Sequence, residues 1–267
     1  MLRPSMGSCA EALWQVYVDT LDRRPDSEWI ANPRWMQLRT PSSPHPNHNK
    51  VVHARLAAAK ADRRIAEVLA DHQARGAGLG WAVSPTSTPD DLSERLVAAG
   101  IPCHGVMVGM TRDVPARPSR QPAREVRIDD LTIGPAMPDD AAELARFSAE
   151  AWGRSEAFRV AMEDKARRTL ADPASPTRFF VARRGPELVG TSTLRLLDGR
   201  VGYLQGAVVD PTCRGRGLYR ALTEVRFAEL RRRGFTQVVI WGNALSAPAA
   251  ARLGFSEVAR GAYHDTT

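Results

Sequence analysis

Cysteine is scarce in this chain of 267 residues, and the three present, Cys9, Cys103 and Cys213, are widely spaced. None belongs to a Cys-x-x-Cys pair, so the spacing excludes a disulfide framework and a zinc knuckle. Long apolar runs are absent as well: no segment approaches the roughly 18 apolar residues that cross a membrane, and no signal-peptide core is seen. These absences predict a protein that stays in the cytoplasm with reduced cysteines.

Lysine is nearly missing too, since only Lys50, Lys60 and Lys165 occur among the 37 basic residues. The net charge of +7 and the pI of 9.9 raise nucleic acid as a partner. The charge is spread evenly, however, and the arginine run 231–233 ends a predicted helix, where cations favour the helix dipole. We therefore expect neither a nucleic-acid nor a membrane partner. Nucleic-acid binding stays open as an alternative function, which a steep salt dependence of DNA binding would support.

The composition is that of a folded chain with two domains. Hydrophobic residues make up 43% and charged residues 25%, which excludes wholesale disorder. One domain commonly takes about 100 to 200 residues. The clearest break is the segment 114–124, where prolines alternate with arginines as in a linker. We expect one lobe over residues 1–113 and a second over residues 125–267.

Strand and helix patterns alternate in both lobes, which predicts an α/β (α+β) fold. In the first lobe, the spacing predicts helices over 51–75 and 89–99 and strands over 79–83 and 103–110. In the second lobe, it predicts strands over 126–131, 179–183, 187–196, 200–209, 237–241 and 257–263, with helices over 139–151, 158–170, 217–233 and 248–253.

The most informative segment is 203–222, in which a strand runs into a glycine-rich turn that opens a helix. Backbone N–H groups at a helix start have no intrahelical acceptor and favour an anion. Gly215 and Gly217 let the backbone approach a diphosphate closely, and Arg214 and Arg216 add positive charge. A phosphate-bearing ligand is therefore predicted.

Two common phosphate loops do not fit this segment. A Walker A loop needs Lys and then Ser or Thr after the glycines, where Leu218 and Tyr219 stand. A dinucleotide fingerprint needs a small residue at Arg220 and an acid after the next strand, where Trp-Gly-Asn occupies 241–243. Neither nucleoside triphosphate hydrolysis nor Rossmann-type binding is expected.

The loop 214–219, Arg-Gly-Arg-Gly-Leu-Tyr, resembles the pyrophosphate loop Gln/Arg-x-x-Gly-x-Gly/Ala of the GNAT superfamily of acyl-CoA-dependent acetyltransferases, with Tyr219 as a departure. The preceding strand 207–211 and Asn243 followed by Leu-Gly-Phe at 253–255 match the family's pattern in register. The resemblance covers about residues 126–263. The first lobe has no such loop and looks like the degenerate half of a tandem GNAT protein.

This resemblance implies two GNAT-like lobes, each a mixed, mostly antiparallel sheet flanked by helices. Residues 1–113 would form the degenerate N-terminal lobe, 114–124 the linker, and 125–267 the catalytic domain with one acetyl-CoA (coenzyme A) site. In the family, the strand before the loop splays at a bulge, the loop N–H groups hold the diphosphate, and an asparagine contacts the pantetheine arm. The cofactor-binding residues implied here are Ala207, Val208, Val209, Arg214, Gly215, Arg216, Gly217, Leu218, Tyr219, Arg220 and Asn243.

The family's usual general acid, a tyrosine four residues before the Gly-Phe pair, is replaced by Ala250. By position, the candidate catalytic residues are Tyr203, Gln205 and Ser246, and Tyr219 is a further candidate acid. The sequence is also consistent with an enzyme that has no dedicated general acid, because a free thiol has a pKa near 8.5 and its thiolate leaves readily.

Other clusters receive ordinary interpretations. His45, His48 and His53 lie near a proline-rich segment without cysteines, so we expect solvated histidines and no metal site. An acceptor pocket could be lined by Trp81, Trp152 and Trp241, although Trp241 in an apolar strand is typical of a core residue. At the junction of the first two helices of the second lobe, Glu150 and Glu156 could face a cationic acceptor, although acids on helices are usually solvated.

The function expected is transfer of the acetyl group of acetyl-CoA to an amine, by direct attack in a ternary complex. The amine, on a small molecule or on a protein, stays open, as does the oligomeric state. The alternative is a non-catalytic acyl-CoA-binding regulatory module, which would bind the cofactor without turnover. Ala250 in the place of the usual acid keeps that alternative open.

Overall fold

The computed structural model describes residues 6–116 and 126–266. In chain order the elements are α1 (Met6–Asp19), β1 (Glu28–Asn32), β2 (Trp35–Arg39), β3 (Lys50–Ala54), α2 (Ala58–Ala74), β4 (Gly80–Val83), α3 (Leu92–Ala98), β5 (Cys103–Asp113), β6 (Val126–Ile128), β7 (Leu131–Pro135), α4 (Ala141–Ala151), α5 (Glu156–Ala171), β8 (Thr177–Arg184), β9 (Glu187–Leu197), β10 (Val201–Val209), α6 (Leu218–Arg232), β11 (Gln237–Gly242), α7 (Ser246–Arg252) and β12 (Ser256–Asp265).

The chain divides into two units, one comprising Met1–Met110 with Trp241–Thr267 and the other Thr111–Ile240. The C-terminal segment belongs to the first unit because β12 pairs with β4 along Ala262↔Val83 to Asp265↔Gly80. These two units differ from the predicted domains, 1–113 and 125–267, because the C-terminal segment belongs to the first unit. The predicted domain boundaries stay a prediction. Most of the predicted linker lies outside the described residues.

The first unit contains the strand order β1-β2-β3-β4-β12-β5. Its β3 and β4 are parallel, whereas β1–β2, β2–β3 and β4–β12 are antiparallel. The helices α2 and α3 cover a core in which Trp35 and Trp81 meet edge to face, with ring centroids 5.5 Å apart. Ile65 on α2 is completely buried against these rings, which is the apolar face that its helical spacing predicts.

The second unit contains the strand order β11-β10-β9-β8-β7-β6, antiparallel except for the parallel pair β10–β11. The helices α4 and α5 pack on the sheet through Leu144, Phe147 and Ala166. The helix α6 lies against β10, where Gly202 leaves room for the buried side chain of Leu230. The predicted fold class, two lobes that each contain a mixed, mostly antiparallel sheet flanked by helices, is confirmed.

Two predicted elements are wrong in part. The segment 51–54 begins no helix: it belongs to β3, because Val51 pairs with Gln37 of β2 and both Val51 and Val52 are completely buried. β-branched residues favour this pleated environment over a helix. The predicted strand 126–131 is a hairpin that turns at Asp129 and Asp130, with Asp129 at φ +52°. No helix or strand was predicted over α1, β1 or β2.

Within the described ranges, no helix is both long and apolar enough to cross a membrane. The predicted cytoplasmic location stays a prediction.

Candidate functional site

A β-bulge interrupts β10 in the second unit, as the family resemblance implied for the strand before the loop. Gln205 pairs with Thr193 of β9 and Val208 pairs with Thr191, so two residues, Gly206 and Ala207, stand opposite Ser192 alone. Gly206 has φ +51°, a conformation that glycine adopts at little cost. The bulge therefore breaks the regular ladder and turns backbone groups of β10 away from it.

Trp152, the residue after α4, lies over this bulge. A Cβ atom added at Gly206 would be 3.2 Å from Cη2 of the indole. The indole is 38% exposed and meets the ring of Phe158 edge to face, with centroids 5.9 Å apart. Trp152 thus forms an apolar wall beside an exposed glycine, at the place where the chain before the loop is irregular.

Two buried hydroxyls stand on β9 directly beside the bulge. The Oγ1 of Thr191 and the Oγ of Ser192 have no hydrogen-bond partner within the part of the chain that the structure describes. Buried polar groups are normally bonded to protein or water. Ala207 and Val209 are half-buried, whereas Val208 is buried in the core under α4 and α5. The bulge therefore combines an apolar wall with polar groups that lack protein partners.

The loop after β10 begins with a turn that Asp210 caps. Its Oδ1 accepts hydrogen bonds from the backbone N–H of Thr212, 2.8 Å away, and from the Thr212 hydroxyl, and these bonds lower the pKa of Asp210. Gly215 and Gly217 then adopt φ +78° and +79°, and a Cβ at either position would have no neighbour within 4 Å. Both glycines are needed for their backbone angles, and the space above them is open.

The backbone N–H groups of residues 215–220, in the loop and in the first turn of α6, donate to no described residue. The first internal bond of the helix runs from Ala221 N to Gly217 O. Leu218 anchors the turn, since it is 1% exposed and would lie 3.4 Å from a Cβ at Gly190. Unbonded donors at the start of a helix of 15 residues favour an anion.

Arginines surround this loop. Arg214 and Arg220 are exposed, and Arg216 pairs with Asp130 and, at 3.3 Å, with Asp129 of the β6–β7 turn. The Arg216 guanidinium lowers the pKa of the Asp130 carboxyl. Arg216 is thus held beside the loop, with its charge partly offset by two carboxylates.

One arginine of α6, Arg226, is completely buried. Arg226 donates through Nε to Leu222 O at 2.8 Å, through Nη2 to Thr223 Oγ1 at 3.1 Å and through Nη1 to Thr193 O at 3.4 Å. Burial lowers its pKa to about 10. Tyr219 is mostly buried and lies two helical turns before Arg226. Burial raises the pKa of its phenol, and the positive charge of Arg226 lowers that pKa in part. This cation links α6 to β9 at the residue opposite the start of the bulge.

The predicted catalytic residues of β10 lie next to the bulge. Tyr203 is buried, which raises the pKa of its phenol to about 12, and it hydrogen-bonds with the side chain of Gln205. Gln205 is half-buried and is the last regularly paired residue before the bulge. Their catalytic roles stay predictions.

Asn243 and Ser246 belong to the other unit, where they organise the start of α7. The Oδ1 of Asn243 accepts from the backbone N–H groups of Leu245, at 3.0 Å, and Ser246, at 2.9 Å, and Ser246 Oγ accepts from Asn243 N. Ala250 is completely buried in the same helix. The side chains of Asn243 and Ser246 thus have a capping role, and their predicted contacts with cofactor or substrate stay predictions.

The remaining clusters are engaged locally. Glu150 pairs with Arg146 at 3.0 Å and Glu156 with Arg159 at 2.6 Å, each on its own helix. His48 and His53, expected to be solvated, are buried, which corrects that prediction; His48 Nδ1 lies 2.7 Å from Ser43 Oγ. Among the described residues, no group of three His, Cys, Asp or Glu side chains could hold a metal ion.

Sequence reasoning missed three features of the site. Arg226 was visible only as a break in the apolar spacing of Leu222 and Leu230, four residues to either side. The pairing of Arg216 with Asp129 and Asp130 has no local signal, because 86 residues separate Arg216 from Asp130. The unpartnered hydroxyls of β9 depend on strand register, which local sequence does not reveal.

Comparison with known proteins identifies the region that contains the bulge and the loop. Residues 140–255 match the model of the Acetyltransferase (GNAT) family. A curated relative, the mycothiol acetyltransferase of Catenulispora acidiphila, is 33% identical over 162 residues, which are 57% of this chain and 49% of the relative. The chain thus spans about half the length of that relative.

Two solved structures share the fold over nearly the whole chain. A GCN5-related N-acetyltransferase from Kribbella flavida has a TM-score of 0.64 at 12% identity, covering 99% of this chain and 96% of that one. A tandem GNAT protein from the clavulanic acid biosynthesis pathway has a TM-score of 0.56 at 12% identity, covering 98% and 94%. At these identities the likeness concerns the fold alone.

Proposed function

We propose that the chain transfers an acetyl group from acetyl-CoA to the amine of a small molecule, because residues 140–255 match the model of the Acetyltransferase (GNAT) family. The comparisons agree with three predictions from the sequence: the family, the enzyme class of acyl-CoA-dependent N-acetyltransferases, and acetyl-CoA as the cofactor. The acceptor, the catalytic residues and the activity of the whole protein are parts of the proposal.

The observation that carries the proposal is the run of unbonded N–H groups over residues 215–220, directly after a bulged strand. We assign the diphosphate of acetyl-CoA to these donors, with charge supplied by Arg214, Arg216 and Arg220. The open space above Gly215 and Gly217 suits a ligand that approaches the backbone closely.

The bulge would position the reacting groups. Acetyl-CoA supplies an acetyl thioester; the amine nitrogen forms the new C–N bond, the C–S bond breaks, the amine loses a proton and the thiolate gains one. Backbone N–H groups of Ala207, Val208 and Val209 would polarise the carbonyl, as donors aimed at developing negative charge do. Trp152 would exclude water from the acceptor side, and Gln205 would orient the amine or a water that takes its proton.

The acceptor favoured is a small-molecule amine. One curated relative carries the name mycothiol acetyltransferase, so amines related to mycothiol are the first class to assay. A protein amine is the second class to assay.

The test is calorimetric titration with acetyl-CoA of the wild type and of the variant Gly217→Ala. Alanine at φ +79° forces the loop backbone to change, so we expect the variant to lose most of its affinity. Gly199→Ala is the matched control: Gly199 has φ +71°, is exposed and also has no neighbour within 4 Å, but it lies in the β9–β10 turn. Equal losses in both variants, or no binding to the folded wild type, would refute the assigned cofactor loop.

The alternative, a non-catalytic acyl-CoA-binding module, predicts the same titration without turnover. Thiol release measured with a panel of amines separates the two. Binding at the loop with no release from any small-molecule or peptide amine would favour the regulatory module.

A further inference from the structure

The first unit contains a concave site that is remote in sequence from the loop before α6. A groove of about 450 Å³ opens between α2 and the strands β1 and β2. This volume lies in the range of small-molecule sites. Its α2 wall is a single helical face at the spacing i, i+3, i+4 and i+7, formed by Lys60, Arg63, Arg64 and Glu67.

The lining of this groove is strongly cationic. Six of its thirteen residues are basic, whereas 37 of the 267 residues of the chain are, so the groove concentrates positive charge. The six are Arg34, Arg39, Arg55, Lys60, Arg63 and Arg64, and the lining has one carboxylate, Glu67. Such a lining repels cations and raises the local concentration of anions.

Nearby carboxylates do not neutralise the groove. Arg63 and Arg64 share Glu67, at 3.5 and 3.3 Å. Outside the lining, Asp71 pairs with Arg39 at 3.1 Å, and Glu11 lies 3.6 Å from Arg55. No ion pair or hydrogen bond within the described residues engages the side chains of Arg34 and Lys60. Six cations therefore face three carboxylates.

One donor in the groove lacks an acceptor. The Nε of Arg39 is buried and has no hydrogen-bond partner among the described residues, although the Nη2 of the same side chain is paired. A buried N–H without an acceptor is costly, and a ligand oxygen would supply one. An arginine fork suits phosphate and carboxylate oxygens, which accept two hydrogen bonds side by side.

The floor of the groove is rigid. The guanidinium of Arg64 stacks on Trp35, with Cζ 4.7 Å from the ring centroid. Trp35 Nε1 donates to Gln37 Oε1 at 3.1 Å, and Gln37 Nε2 lies 3.1 Å from the Nε2 of the buried His72. A side chain held in this way loses little freedom when a ligand binds, so the Arg64 guanidinium is preorganised.

We propose that this groove is a binding site for a compact polyanion, a small molecule that bears two or more phosphate or carboxylate groups. The site is separate from the assigned acetyl-CoA loop and does not rest on the proposed function. It gives the first unit, whose sequence lacks a pyrophosphate loop, a ligand-binding role of its own.

The experiment is calorimetric titration of the full chain with inorganic pyrophosphate and, separately, citrate. The same titration of Gly217→Ala separates binding at the groove from binding at the loop before α6. The test variant is Arg34→Gln/Lys60→Gln, since neither side chain has a hydrogen-bond or ion-pair partner among the described residues and the unfolding temperature should stay unchanged. The control is Arg154→Gln/Arg252→Gln, which removes two exposed charges elsewhere. We expect saturable pyrophosphate binding that the test variant weakens about tenfold and the control leaves unchanged.

The two probes separate phosphate from carboxylate ligands, and tighter binding of either one names the class. No binding to the wild type at millimolar concentrations, or equal weakening in both double variants, would overturn the proposal. If a single-stranded oligonucleotide binds more tightly than pyrophosphate and its binding is lost in the test variant, the groove is a nucleic-acid surface and the polyanion proposal is replaced. Because groove and loop are titrated with different ligands, failure of one proposal leaves the other measurable.

Discussion

The indole of Trp152 lies across the bulge at Gly206, so closely that a Cβ at Gly206 would stand 3.2 Å from the ring. This contact connects the end of α4 to the strand that precedes the glycine-rich loop. Two features favour glycine at position 206: the backbone φ of +51° and the small space under the indole ring.

Gly206→Ala should therefore lower both stability and activity. A left-handed backbone costs a non-glycine residue about 1–2 kcal/mol, and the tight contact with Trp152 adds to it. In the double variant Trp152→Ala/Gly206→Ala the tight contact is gone and the backbone strain stays, so part of the stability should return. Urea unfolding of both single variants and of the double variant measures the coupling. Strictly additive losses would show that the ring and Gly206 do not interact.

Neutralising the acids beside Arg216 should strengthen acetyl-CoA binding. Asp129→Asn/Asp130→Asn releases the Arg216 guanidinium from its two carboxylate partners and leaves the loop more positive. Surface pairs contribute little to stability, so the unfolding temperature should hardly change. Titration with acetyl-CoA at low and high salt checks this, since the gain should shrink as salt rises. Weaker binding in the variant would mean that the pairs hold Arg216 in its binding position.

Among the predicted catalytic residues, Gln205→Ala should reduce kcat most. Gln205 is half-buried at the edge of the bulge, whereas the Tyr203 phenol is buried with a pKa of about 12 and gives up its proton poorly. Tyr203→Phe should leave kcat within a few-fold of the wild type. Ser246→Ala should lower the unfolding temperature, because the hydroxyl caps α7. Steady-state kinetics at saturating acetyl-CoA test the first two variants, and thermal unfolding tests Ser246→Ala. An unchanged kcat in Gln205→Ala would remove Gln205 from the catalytic residues.

Stability should fall in acid because of His72. Burial lowers the pKa of its imidazole from 6.5 to about 4 in the folded chain. Between these two values the unfolded chain binds a proton that the folded chain does not, so stability rises with pH and is fully present above pH 6.5. The loss between pH 6.5 and 4 is on the order of 3 kcal/mol.

His72→Gln should flatten this profile, because it removes the titrating group while retaining a polar side chain near Gln37 and Gly78. The measurement is the free energy of unfolding from pH 4 to 8 in both proteins. Parallel profiles would assign the acid sensitivity to other groups, His53 and His264 first, since burial lowers the pKa of each.

Local sequence determined much of this protein. Asp-Pro before Arg-Gly-Arg-Gly marks the end of β10 and the start of α6, because proline, glycine and orphan N–H groups act within a few residues of their own positions. The same local chemistry predicted an anion site at the loop, and most helices and strands of the second unit follow the predicted spacing. The family resemblance placed the bulge in the correct strand.

Only the tertiary structure decided the rest. Val51 and Val52 form a strand because β2 lies beside them, Arg226 is buried because α6 covers β9, and the cationic groove joins residues of two strands and a helix. The C-terminal strand joins the first unit because its partner, β4, lies there. These outcomes depend on pairing and packing between distant segments, which periodicity within one segment does not encode.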